Sequence, residues 1–342
     1  MENCLWEHLK QTKKPIVLYG MGNGADKIIS VLNEYNIPFC DVFASDGFVR
    51  KKFFHSVPIS SYAELKQKYK EMIVLLCFGS QLPDVIQNIL KIASEQELYA
   101  PEVPVIGNGL FTKDYYNEHK SDFNLVYSRL ADDISQKTFE NIIKYKISGK
   151  INYLTDCEVS PDEPYNSFLE LYDENFIDLG AYNGDTVIDF IQRCPNYKSI
   201  IAVEPDAKTF KKLVNNTSGI KDINLLNACV SDKCGKAAFA MKSGRNSAIS
   251  ADGTEIDCIS VDSLNVDATF IKMDVEGEEI KAILGAKETI SKNKPKMLIS
   301  AYHRTDDFLT IPKTVLEINP DYKMYLRHFP YLPAWDTNFY FI

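Results

Sequence analysis

The run "ENFIDLGAYNGDT", residues 174–186, limits the possible folds more than any other part of the chain. An apolar stretch enters a turn holding Gly180 and Gly184, and the amphipathic segment "VIDFIQRC" follows, so the order is strand, tight turn, helix. Units of this kind open a ligand crevice at the strand end. Asp178 is misplaced for a pyrophosphate, which needs backbone N–H groups and positive potential. A cationic or hydroxyl-rich guest fits better. The next strand, "SIIAVEPD", delivers Glu204 roughly 20 residues after the turn, the interval at which such a unit offers an acid to ribose hydroxyls.

The pattern also occurs earlier in the chain. "PIVLYGMGNGADKIISVLNEYNIPFCDVFASD" reads as a strand at 16–19 and a turn with Gly20, Gly22 and Gly24. Ala25 stands where a third glycine is usual; a helix burying Ile28, Ile29 and Leu32 follows, then a strand ending at Asp46. "EMIVLLCFGS" and "LPDVIQNILKIA" continue the alternation, so residues 1–110 are expected to form a Rossmann-like parallel sheet covered by helices. This turn lacks an acid like Asp178, and "RKK" at 50–52 is cationic, which motivates a nucleotide or nucleotide sugar as its guest.

Residues 111–166 read as a helical connector, with Ser135 as a cap after Asp133, Gly149 as the stop, and the polar loop "TDCEVSPDEPYN" beyond. A second α/β domain occupies 167–342. Its last strands, "YKMYLRHF" and "TNFYFI", have no helix between them and so form an antiparallel pair at the sheet edge.

The 342 residues suit two domains, and the net charge of -9 argues against nucleic acid or an anionic membrane as the main partner. Neither a signal peptide nor a spanning segment is evident, so a cytoplasmic protein is expected. The eight cysteines form no CxxC pair. Cys40, Cys77, Cys229 and Cys258 lie in apolar runs and read as reduced, buried thiols, and Cys229 with Cys234 lacks the second pair that a zinc site needs.

"FIDLGAYNGDT", "AVEPD", "ACVSD" with "GKAAF", and above all "FIKMDVEGEEIKAILGA" resemble the FkbM family of S-adenosylmethionine-dependent methyltransferases over roughly 165–342. Lys272, Asp274, Glu276, Gly277 and Glu278 are read onto its K-x-D-x-E-G-x-E signature. The resemblance implies two Rossmann-like domains, the second a class I methyltransferase sheet of seven strands, and transfer of a methyl group to a hydroxyl of a sugar, glycan or related small molecule. Adenosylmethionine carries a sulfonium and an ammonium and no phosphate, which accounts for the acids.

On this reading Asp178 serves the methionine end, and Gly180 and Gly184 allow close approach, with Tyr182, Asp185 and Thr186 in the same turn. Asp185 and Thr186 could instead only cap the helix. Glu204, with Pro205 beside it, takes the ribose hydroxyls, and Ser231 or Asp232 meets adenine. Asp274 is the expected base, with Glu276 or His303 positioning substrate or relaying the proton. Lys272, mid-strand, reads as an ion-paired structural residue. No metal belongs to this reading, although Asp274 and Glu276 could take Mg²⁺. The competing reading is an NAD(P)- or nucleotide-sugar-binding protein that uses the first turn, with the second domain as scaffold.

Overall fold

The computed structural model describes residues 3–45, 53–240, 248–249 and 254–342. Asp46, the cationic run at 50–52 and most of the polar loop at 241–252 lie outside the described residues.

Six strands form the first sheet: β1 Ile16–Tyr19, β2 Asp41–Phe43, β3 Phe53–Phe54, β4 Val57–Ser60, β5 Ile73–Leu76 and β6 Glu97–Tyr99. Their order is β3-β4-β2-β1-β5-β6, parallel except for the β3–β4 pair. β1 and β5 are buried at every position, as expected of parallel strands covered on both faces.

The second half begins with β7 Asn175–Leu179, β8 Ser199–Val203 and β9 Ile223–Leu226. A separate four-stranded sheet follows, made of β10 Cys229–Val230, β11 Gly235–Ala240, β12 Ala248–Ile249 and β13 Thr254–Ile259. The chain then adds β14 Phe270–Met273, β15 Lys296–Ser300, β16 Met324–His328 and β17 Thr337–Phe341. The large sheet runs β16-β17-β15-β14-β7-β8-β9, with β17 antiparallel to both neighbours, as the helix-free link predicts.

Two sequence expectations need correction. Cys229 and Cys258 are not reduced thiols: they pair across β10 and β13, whose register sets them opposite each other, and form a disulfide. Cys40 is exposed rather than buried, and Cys77 is buried as expected. In the connector, Asp132 and not Ser135 caps the helix Asp133–Ser148, accepting the Ser135 N–H at 2.8 Å. The Ser135 hydroxyl is instead buried against β16, where it accepts from Leu326 N–H and from Arg327 Nη1. Gly149 does stop that helix, at φ 67°.

Arg327 is fully buried and paired with Asp132 and Glu163, which ties the connector to the sheet. One hydrophobic core runs from Val17, Tyr19 and Phe43 through Phe123 and Phe139 to Phe308, Phe339 and Phe341. Among the described residues, no helix is long and apolar enough to cross a membrane.

Candidate active site

The carboxyl ends of β7, β8, β14 and β15 open onto a cavity of about 700 Å³. Gly180 makes the closest approach there: its φ is +83°, and a Cβ would stand 1.9 Å from the Asp274 carbonyl oxygen. No other residue fits that position. Gly184, at φ +89°, precedes the helix Asp185–Arg193 and packs on Leu213 and Thr217, outside the cavity lining.

Asp178 is fully buried and does not line the cavity. It lies opposite Lys272 in the strand register, and the Lys272 ammonium donates to its Oδ1 at 3.1 Å and to the Gly180 carbonyl at 3.2 Å. Burial raises the pKa of Asp178 despite that partner. Burial also opposes charge on Lys272, but Asp178 and Asp274 outweigh it and hold the ammonium protonated. The pair therefore braces the turn from beneath.

Gly180, Tyr182, Asp185, Thr186, Glu204 and Pro205 all line the cavity. Gly184, not Asp185 or Thr186, is the N-cap of the helix Asp185–Arg193, and Asp185 Oδ1 accepts only the adjacent Thr186 N–H at 2.8 Å. Glu204 accepts the backbone N–H of Tyr182 at 3.0 Å and of Asp206 at 2.8 Å. Burial pushes it up to about 7, against those two donors and with help from Asp206 and Asp178. Ser231 and Asp232 lie off the cavity and bond to each other, while Cys229 and Val230 line it.

Asp274 and Glu276 also line the cavity, each about one third exposed. The Tyr302 hydroxyl donates to Asp274 Oδ1 at 3.1 Å. His303 does not line the cavity. It is fully buried behind these acids, with Nε2 3.5 Å from Asp274 Oδ1 and 3.7 Å from Glu276 Oε2, and Nδ1 2.9 Å from Glu279 Oε1. Burial opposes its charge, but Glu279, then Asp274 and Glu276, push its pKa up to about 10.

Glu279, not Glu278, is the final acid of the K-x-D-x-E-G-x-E spacing. Its Oε1 accepts the N–H of Val275 at 3.0 Å and of Gly277 at 3.3 Å, which folds the turn around it. Counting the spacing one residue further would have found it.

Other lining residues went unforeseen. Tyr331 and Trp335 come from the link between β16 and β17, and Gln81 comes from the first half of the chain. Ser80 and Leu332 exchange two backbone hydrogen bonds, 2.8 and 3.0 Å, which fasten that aromatic link beside the cavity. The "PYLPAW" composition was a readable signal for the link, whereas nothing local marks Gln81. Among the described residues acids dominate the lining, with Asp185, Asp189, Glu204, Asp206, Asp274, Glu276, Glu278 and Asp336 against Arg193 and Lys272.

Residues 178–332 match the family model described as the methyltransferase FkbM domain. No curated protein matches the chain. Among solved structures, the chain is similar to methyltransferase FkbM from Methylobacillus flagellatus KT, at 22% identity and a TM-score of 0.74, covering 98% of this chain and 92% of that one. That likeness is one of fold. Weaker similarity extends to a precorrin-6y C5,15-methyltransferase from Geobacter metallireducens GS-15, at 16% identity, 52% and 84% coverage and a TM-score of 0.33. It also reaches an Aeropyrum pernix fibrillarin in complex with S-adenosyl-L-methionine, at 10% identity, 50% and 67% coverage and a TM-score of 0.32.

Proposed function

From the premise that the chain carries a methyltransferase FkbM domain over residues 178–332, we propose that it moves a methyl group from S-adenosylmethionine to a hydroxyl of a sugar, glycan or related small molecule. The observation that carries this reading is the acid-rich lining of one cavity beside a glycine turn. A sulfonium and an ammonium gain from such a lining, and a phosphate is repelled by it.

Glu204, at the tip of the second strand, receives the ribose hydroxyls. Its two backbone donors leave the carboxylate further lone pairs to accept with. Gly180 and Tyr182 give the cofactor a backbone floor, with Asp185 and Thr186 near its methionine end. Asp178 acts one layer below, through Lys272, by holding the turn.

On the acceptor side, Tyr331 and Trp335 offer flat apolar faces, while Asn338, Asp336 and Gln81 offer polar edges. A sugar ring presents the complement, an apolar C–H face and a rim of hydroxyls. Asp274 activates the acceptor hydroxyl, because it projects from the central strand end into the cavity. Alignment of oxygen, methyl carbon and sulfur then carries much of the rate.

Thermal unfolding with added ligand tests the reading. Adenosylhomocysteine at 100 times its Kd should stabilise the protein by ~2.7 kcal/mol, while NAD⁺ and nucleotide sugars leave it unchanged. Stabilisation by NAD⁺ alone would refute the proposal.

A further inference from the structure

We infer that Asp274, Glu279 and His303 form a binding site for one divalent first-row transition ion at the acceptor end of the cavity. Each offers one ligand atom, and the three atoms lie within 4.8 Å of one another. In the sequence, Asp274 and Glu276 are the pair that could take Mg²⁺. The chain turns at Glu276, φ 54°, and Gly277, φ 89°, so Glu279 and His303 come in behind Asp274 instead.

The buried members face one another as charges but lack aligned hydrogen bonds. Glu279 and His303 are fully buried, yet Glu279 Oε2 and both ring nitrogens of His303 make no hydrogen bond. The 2.9 Å approach of Nδ1 to Glu279 Oε1 is not aligned as one, and that oxygen already accepts two backbone N–H groups. Leaving a buried polar atom unsatisfied costs ~1–3 kcal/mol, and one ion would meet one ring nitrogen of His303 and one oxygen of Glu279 together with Asp274.

The surrounding charge has the right sign. Glu276 lies 3.7 Å from the imidazole, and Asp307 is buried close by with one oxygen unpartnered, while the nearby Lys146 is already bound to Glu102. An imidazole nitrogen with two carboxylates suits Mn²⁺, Fe²⁺ or Zn²⁺ better than Mg²⁺ or Ca²⁺, which prefer oxygen ligands throughout.

What the ion would do rests on the methyl-transfer reading; its binding does not. Asp274 reaches the cavity, so an ion held there has an open side toward the acceptor. A bound Zn²⁺ can lower the pKa of coordinated water from 15.7 to about 7, other divalent ions lower it less, and an alcohol responds in the same sense. The acceptor O–H bond breaks and its proton passes to the Glu276 carboxylate. The oxygen then bonds to the methyl carbon as the carbon–sulfur bond breaks, and that electron pair stays on sulfur. Hydroxyl and sulfonium become methyl ether, thioether and one proton.

The test is a Mn²⁺ titration of the chelator-treated full chain, followed by the paramagnetic resonance of unbound Mn²⁺, with adenosylhomocysteine binding measured on the same samples. One tight equivalent is expected, displaced by Zn²⁺ and resistant to equal Mg²⁺. Asp274→Asn and His303→Gln should weaken it by more than the ~10–100-fold that loss of an outer partner costs, while still binding adenosylhomocysteine. Asp274 is partly exposed, so its variant serves even where a change at buried His303 prevents folding. Wild type that binds adenosylhomocysteine but no Mn²⁺ would overturn the inference and leave His303 ion-paired with these acids. Uptake indifferent to both substitutions would overturn it too. Mn²⁺ bound at these residues without adenosylhomocysteine would uphold the site and count against the methyl-transfer reading.

Discussion

At the first glycine turn, Tyr19 pairs in register with Phe43 on one side and Leu76 on the other; at the second, Leu179 pairs with Val203 and Met273. The two frames correspond strand for strand in register and share the glycine at the turn, Gly20 and Gly180, while the side chains around it differ. Where the second turn has Asp178 against Lys272, the first has Leu18 against Leu75. Glu204 corresponds to Ala44, and Asp274 to Cys77. At the first turn Tyr19 stacks on Phe43 with ring centroids 4.5 Å apart, and a Cβ on Gly20 would meet the Phe78 ring at 2.6 Å. The backbone specifies only strand, turn and helix. On the proposed reading, the difference in guest rests on the side chains at the strand ends.

The comparison breaks most visibly at Asp274. Asp274→Asn removes the carboxylate proposed to activate the acceptor, so kcat should fall ~10²–10⁴-fold while adenosylhomocysteine affinity holds nearly constant. Rapid-quench turnover alongside calorimetry checks this. A folded variant that turns over at the wild-type rate would make position 274 as inert as Cys77.

Lys272 comes next. Lys272→Met strands Asp178 in a buried site, at a cost of about 3–5 kcal/mol in denaturant unfolding. Replacing both members, as Asp178→Leu with Lys272→Leu, copies the first turn and should recover most of that stability while adenosylmethionine binding weakens. A double variant no more stable than the single one would mean the pair braces something beyond itself.

Glu204→Ala should cost adenosylhomocysteine about 1.5–3 kcal/mol of binding, measured by calorimetry. Unchanged affinity would remove Glu204 from the cofactor site and erase its contrast with Ala44.

The smallest effect is a pH slope. The Glu204 pKa is raised from 4.5 to about 7, by burial first, with Asp206 and Asp178 adding to it and the N–H groups of Tyr182 and Asp206 opposing. Its contribution to folding is therefore full below 4.5 and lost as pH rises through 7. Cofactor affinity runs the other way, because the charged carboxylate is the better acceptor. It should rise by at most about tenfold per pH unit and level off once Glu204 is ionised. Glu204→Gln should flatten the slope, and an unaltered slope would assign it to another group.

The two large sheets were legible in the sequence because strand and helix periods leave separate signatures, and Asp178, Glu204 and Asp274 stand out as acids at the ends of apolar runs; the separate four-stranded sheet was not. Contacts made at a distance left no such mark. His303 looks like a loop histidine in "SAYHRTDD", and only the fold buries it behind Asp274. The Cys229–Cys258 pairing depends on β10 and β13 lying in register, which neither segment alone encodes. Gln81 reaches the cavity from the other half of the chain through the Ser80–Leu332 bridge. Glu279 differs from these: its spacing was visible, and reading Glu278 in its place missed the acid that meets His303.

The most direct test of the contrast between the two turns is the stoichiometry of adenosylhomocysteine binding to the intact chain by titration calorimetry. One equivalent per chain, weakened by Glu204→Ala and untouched by Ala44→Val, is the expected result. A second equivalent, or a single one that Ala44→Val abolishes and Glu204→Ala spares, would place the cofactor at the first turn and contradict the assignment.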